Sequence, residues 1–94
     1  MATGNREPVT LKLGVIGGGR AAWAFGSTWR RIGWPIGGVA LRSDSPVAQL
    51  APKRSIDELA RDSELLLIAV SDRAIGDVAA SVPQTAAIIF HPSG

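Results

Sequence analysis

Six consecutive residues, Gly17-Gly18-Gly19-Arg20-Ala21-Ala22, read G-x-G-x-x-A. Small residues at that spacing suit one kind of chemistry, the close approach of an anion to backbone amides. The first glycine permits a tight turn, the second leaves the backbone uncovered, and the alanine lets a helix lie close to a strand. Amides in the first turn of that helix lack intrahelical partners and attract negative charge. Farther on, Arg42 and Ser43 stand 20 and 21 residues after Ala22, and a guanidinium with a hydroxyl can grip a phosphate by charge-assisted hydrogen bonds. Val70-Ser71-Asp72 and His91 each follow an apolar run. Ser71 has no histidine beside it to activate a nucleophile, so contact between backbone and ligand is its expected role. Asp72 precedes A-I-G-D-V-A and reads as a helix N-cap in preference to a catalytic acid. His91, the one histidine, has two readings: a group that positions a bound ligand, or an imidazole satisfied by local hydrogen bonds at a strand end.

Composition narrows the chemistry further. The 94 residues contain no cysteine and a single histidine, which removes disulfides, thiolate nucleophiles and any zinc cluster, so no metal is expected. Hydrophobic residues at 46% against 19% charged are those of a chain that folds, at a length that suits one small domain. The net charge of +2 conceals a division, with eight basic against two acidic residues in 1–54 and two against six in 55–94. The basic residues are scattered singly or in pairs, which fits phosphate on a small ligand better than nucleic acid. Five glycines between Gly14 and Gly26 break the first apolar stretch, and no run approaches the ~20 apolar residues of a membrane span. A cytoplasmic protein with no membrane partner is the expectation.

The elements that must position these residues alternate. Residues 1–10 have no periodicity and read as a flexible leader. Val9 to Gly17 ends in a continuous apolar run, the pattern of a buried strand. Ala21 to Ile32 places Ala22, Phe25, Trp29 and Ile32 on one helical face, with Trp29 as core and Trp23 on the outer surface. Gly33 suits the residue after a helix end and Pro35 a stop. A second strand spans Ile36 to Leu41, where Gly37 and Gly38 require close packing of a helix or of other backbone to hold it. Val47 to Leu50 reads as one helical turn and Pro52 to Arg54 as an edge strand. Ser55 and Glu58 form a capping box for a short helix ending near Ser63. Leu65 to Val70, apolar on both faces, belongs at the centre of a covered sheet. Ser71 or Asp72 caps a helix from Ala74 to Val82, and Ala86 to Phe90 is the last strand.

That alternation predicts an α/β fold with a doubly wound, mainly parallel sheet in the order 3-2-1-4-5 and helices on both faces. A G-x-G-x-x-A between the first strand and the first helix is the dinucleotide fingerprint in its required context. Where a cofactor without a 2′-phosphate meets an acid, about 20 residues past the loop, this chain has Leu41-Arg42-Ser43. A carboxylate there would repel a 2′-phosphate and Arg42 attracts it, so NADP is expected, with NAD as the alternative and Asp44 a nearby counterweight.

With these residues in place the chain resembles the Rossmann-like amino-terminal domain of a group of NAD(P)-dependent oxidoreductases. It is similar to the cofactor domains of pyrroline-carboxylate reductases, ketopantoate reductases and phosphogluconate-type hydroxyacid dehydrogenases. The likeness covers about Leu11 to Gly94 and rests on L-K-L-G-V-I-G-G-G-R, A-L-R-S, L-L-L-I-A-V-S-D-R-A-I and the closing H-P-S-G. Ala22 in place of the commoner third glycine, and Gly37-Gly38 in the second strand, depart from the pattern. The resemblance implies that residues 11–94 are a dinucleotide-binding domain at the amino-terminal end of a longer protein. A helical domain outside this chain would then bind a small-molecule substrate and form a homodimer. The cofactor contacts implied are Gly17, Gly18, Gly19, Arg20, Ala21, Ala22, Arg42, Ser43, Val70, Ser71 and His91, with no catalytic residue assigned and this chain inactive alone. The competing reading is a non-catalytic nucleotide-binding or sensor module on the same fold.

Overall fold

A computed structural model of the protein describes residues 11–91; the expected leader at 1–10 and the closing residues 92–94 lie outside them. Four parallel strands, β1 (Leu13–Ile16), β2 (Ile36–Ala40), β3 (Leu65–Ile68) and β4 (Ile88–Phe90), are ordered β2-β1-β3-β4. Helices α1 (Arg20–Arg31), α2 (Ile56–Asp62) and α3 (Asp72–Ser81) connect them, with a 3₁₀ turn at Pro46–Gln49.

Strand alternation sorts the apolar residues into two cores. Leu13, Val15 and Leu67 face α1, packing with Ala22, Trp29 and Val47. Ile16, Leu66 and Ile68 face the other way, against Leu59 and Ala60 of α2 and Val78 of α3. Leu66 and Leu67 are fully buried on opposite faces, which is why 65–68 is the run without polar alternation. The fold is therefore the expected doubly wound α/β sheet. Trp29 is buried with its indole N–H donating to the Pro35 carbonyl at 3.0 Å, so its core position leaves no polar atom stranded.

Several boundaries move, each for a local reason. The edge strand expected at 52–54 is a single parallel bridge between Val39 and Lys53. Pro52 has no N–H to extend a ladder, and Ser55 immediately caps α2. The remaining strands keep the expected order. Ile32, expected on the buried face of α1, is exposed; it is the C-cap, and Gly33 at φ +88° turns the chain away there. The third helix begins at Asp72, two residues before the expected Ala74. Ser71 takes the N-cap position without a side-chain cap bond, and its carbonyl accepts from the Ala74 N–H at 2.9 Å. Strand β4 starts at Ile88 and not Ala86. The Ala87 N–H is already held by Thr85 Oγ1 at 3.0 Å, and that hydroxyl donates to the Ala60 carbonyl.

Gly38 meets the packing requirement read from its sequence. A Cβ on it would lie 2.7 Å from Arg54 Cδ and 3.1 Å from Leu59 Cδ2, so the missing side chain lets α2 and the Arg54 stem sit on the strand.

Candidate functional site

The sheet switches direction between β1 and β3, because the chain leaves β1 towards β2 on one side and leaves β3 towards β4 on the other. A doubly wound sheet opens its ligand crevice at that point, outside the carboxyl ends of the strands. Here a cleft of about 700 Å³ lies there, walled by the loop after β1, residues 40–45 after β2, Arg54 to Ile56, and Ala69 to Ser71 after β3.

The glycine loop forms one wall. Gly17 has φ +119°, and a Cβ on it would run into the Ala69 carbonyl, so only glycine fits. Its N–H donates to the Ala40 carbonyl at 2.9 Å, while the Ala69 N–H donates to the Ile16 carbonyl at 2.8 Å. These bonds clamp the ends of three strands around the crevice. At Gly18 the carbonyl accepts from Ser45 Oγ at 2.7 Å, and Ser45 Oγ in turn accepts from the Val47 N–H at 3.1 Å. Gly19 differs from both. It is the N-cap of α1 with ordinary negative φ and no side-chain cap, and a Cβ on it would meet nothing within 4 Å. The first-turn amides of α1 thus open onto free space that a side chain at residue 19 would fill. That space and those donors fit a phosphate.

The structure brings together most of the residues singled out from sequence. Gly17, Gly18, Gly19, Arg20, Ala21, Arg42, Ser43, Val70 and Ser71 all line the cleft. Ala22 is fully buried beneath it, holding α1 close to the sheet as its place in the fingerprint requires. His91 stands apart. Strand β4 ends with Phe90 opposite Leu67, and His91, exposed beyond it, is not among the lining residues. Trp23 is 41% exposed on the outer side of α1, next to Pro46 and Val47.

Three contributors escaped the sequence reading. Ser45 braces the loop from 27 residues away, and the only sign of it was a serine before Pro46. Ser55 lines the cleft while capping α2, its Oγ accepting from the Glu58 N–H at 3.1 Å. The reciprocal bond from the Ser55 N–H to the Glu58 carboxylate holds that carboxyl below its ordinary value of 4.5, helped by the Ser55 hydroxyl and the charges of Arg54 and Arg61. Arg54, the end of the expected edge strand, is part of the cleft wall beside Ser55, while its stem lies over Gly38 and its guanidinium bonds Asp62 at 2.9 Å at the C-terminal end of α2. Asp44, the counterweight to Arg42, lies 3.6 Å from Lys53 on the exposed rim.

A family model described as Rossmann-like domain matches residues 2–94. The chain belongs to this family. No curated protein and no solved structure gives a significant match to it. The Rossmann-like architecture is that of a nucleotide-binding module, and doubly wound folds of this kind take their ligands in the crevice outside the carboxyl ends of the strands. Among the described residues no group of three His, Cys, Asp or Glu could hold a metal ion, and no helix is long and apolar enough to cross a membrane.

Proposed function

We propose that the cleft binds NADP and that the chain is the cofactor domain of an oxidoreductase, whose substrate and dimerisation domain lies outside it. The observation that carries this reading is the uncovered face of the glycine loop at Gly19, set against Arg42 and Ser43 across the same cleft. The α1 amides would take the pyrophosphate. Arg42, with no acid at 41–43, would take the 2′-phosphate, and Ser43 would add a hydroxyl donor. Asp44 offers little repulsion because Lys53 partly neutralises it. Val70 and Ser71, at the end of the central strand, would support the remainder of the dinucleotide through their backbone. When bound, the nicotinamide supplies hydride transfer; the protein supplies binding and orientation.

A non-catalytic nucleotide-binding module is the second reading, and one observation favours it. Among the described residues that line the cleft there is no His, Lys, Tyr or Glu. Acid or base chemistry would then have to come from another domain. Calorimetry of the chain with NADP and NAD tests the leading reading, which expects NADP to bind at least about tenfold tighter. Equal affinities, or binding of neither, overturns it.

A further inference from the structure

Gly18 fills the variable position of G-x-G, where the fingerprint asks for no glycine. Its φ lies outside the left-handed region, yet a Cβ on it would come within 2.8 Å of both Cβ and Oγ of Ser45 and 3.2 Å of Leu41 Cδ2. The missing side chain admits Ser45, a half-buried residue that reaches the cleft from the loop after β2. The Ser45 hydroxyl is used in both senses. It accepts from the Val47 N–H at 3.1 Å as the N-cap of the 3₁₀ turn, and it donates to the Gly18 carbonyl at 2.7 Å. A cap needs only the acceptor, so the donated bond serves the glycine loop. In that loop the direction of a peptide matters. Among the described residues every peptide is trans, which sets C=O and N–H on opposite sides of the chain. Holding the Gly18 carbonyl against Ser45 therefore turns the N–H of Gly19, the N-cap of α1, away from Ser45. A Gly18–Gly19 peptide free to rotate would bring its carbonyl oxygen, a negative partial charge, towards an anion seated on the first turn of α1.

We propose that Ser45 is a positioning residue of the phosphate site: its hydroxyl fixes the Gly18–Gly19 peptide in the orientation that keeps the Gly18 oxygen off an anion bound to the α1 amides. This rests on the reading of the cleft as a nucleotide site and adds a residue that acts through the glycine loop and not by contact with the ligand.

Ser45→Ala tests the idea by removing the bond, and calorimetry with ADP and with 2′-AMP reads the effect. The two compounds share adenosine, but ADP carries its phosphates for the α1 amides and 2′-AMP carries one for the Arg42 side of the cleft. The expected result is a loss of about tenfold in ADP affinity with 2′-AMP affinity changed less than about twofold. Ser45→Thr keeps the hydroxyl on an extended backbone that suits a β-branched residue, so it should bind both compounds within about twofold of the parent. The ¹³C resonance of the Gly18 carbonyl, which reports its hydrogen bond, should move in Ser45→Ala and stay in place in Ser45→Thr. Unaltered ADP affinity in Ser45→Ala, equal losses for the two compounds, or an ADP loss of about tenfold in Ser45→Thr overturns the assignment of Ser45 and leaves the nucleotide reading standing. A parent chain that binds neither compound overturns both.

Discussion

The neighbouring glycines Gly17 and Gly19 should respond to substitution in opposite ways, and the contrast separates folding from binding. At Gly17 the backbone has φ +119° and a Cβ would collide with the Ala69 carbonyl, so Gly17→Ala meets both backbone strain and an immovable neighbour. Strain of this kind costs about 1–3 kcal/mol, and the clash adds to it. In a domain of this length each kcal/mol lowers Tm by roughly 4–8 °C, so a fall on the order of 10–20 °C is expected. At Gly19 the φ of −87° suits any residue and the Cβ position is empty. Gly19→Val loses some N-cap preference and gains from a stiffer unfolded chain, two effects that nearly cancel to within about 1 kcal/mol. Its branched side chain occupies the space in which a phosphate would meet the α1 amides. Losing one or two charge-assisted contacts there weakens NADP binding by about 1.5–3 kcal/mol each, or 10- to 150-fold per contact. Differential scanning fluorimetry and calorimetry read the two quantities on the same samples. If Gly19→Val binds NADP like the parent, or Gly17→Ala melts with it, the assignment of roles within the loop is wrong.

Arg42→Ala should lose about 10- to 150-fold in NADP affinity and leave NAD affinity nearly unchanged by calorimetry; equal losses would indicate general electrostatics instead. Among the described residues Ser63 Oγ is buried with no hydrogen-bond partner, so Ser63→Ala should raise stability by about 1 kcal/mol in urea unfolding, and a loss of that size would refute the reading. The Glu58 carboxyl is held below 4.5 in the fold, so its contribution is complete above that pH and disappears as pH falls through the folded value. Glu58→Gln should therefore flatten the acid limb of Tm against pH between pH 7 and 3, and an unaltered limb would show that the capping box does not carry it. With the cleft walls holding no His, Lys, Tyr or Glu among the described residues, the chain with NADPH should give no oxidation proportional to protein with imines, 2-oxo acids or aldehydes; steady turnover followed at the nicotinamide absorbance counts against this.

The parts of the fold legible in the sequence were those set by a single local rule. Leu65 to Ile68 could only be a doubly covered strand, because no residue in it tolerates water on either face. Gly33 and the Ser55–Glu58 box announced helix ends because capping depends on residues within one turn of each other. Boundaries were missed where a distant group claimed a local hydrogen bond. Ala87 is kept out of β4 by Thr85, whose own hydroxyl is fixed by the Ala60 carbonyl, 25 residues earlier in the chain.

The same division runs through the cleft. Gly17 and Gly19 look alike in sequence, since both fill glycine positions of one motif, yet one is glycine for the sake of the Ala69 carbonyl and the other leaves space for a ligand. Only the position of β3 distinguishes them. Gly38 signalled that something must lie on β2, and sequence offered a helix or a stretch of backbone as the occupant. The structure places Leu59 of α2 there together with the aliphatic stem of Arg54, an occupant no periodicity could supply. A glycine that weakens its own strand thus lets α2 close over β2, which brings the start of that helix, Ser55 and Ile56, to the wall of the cleft.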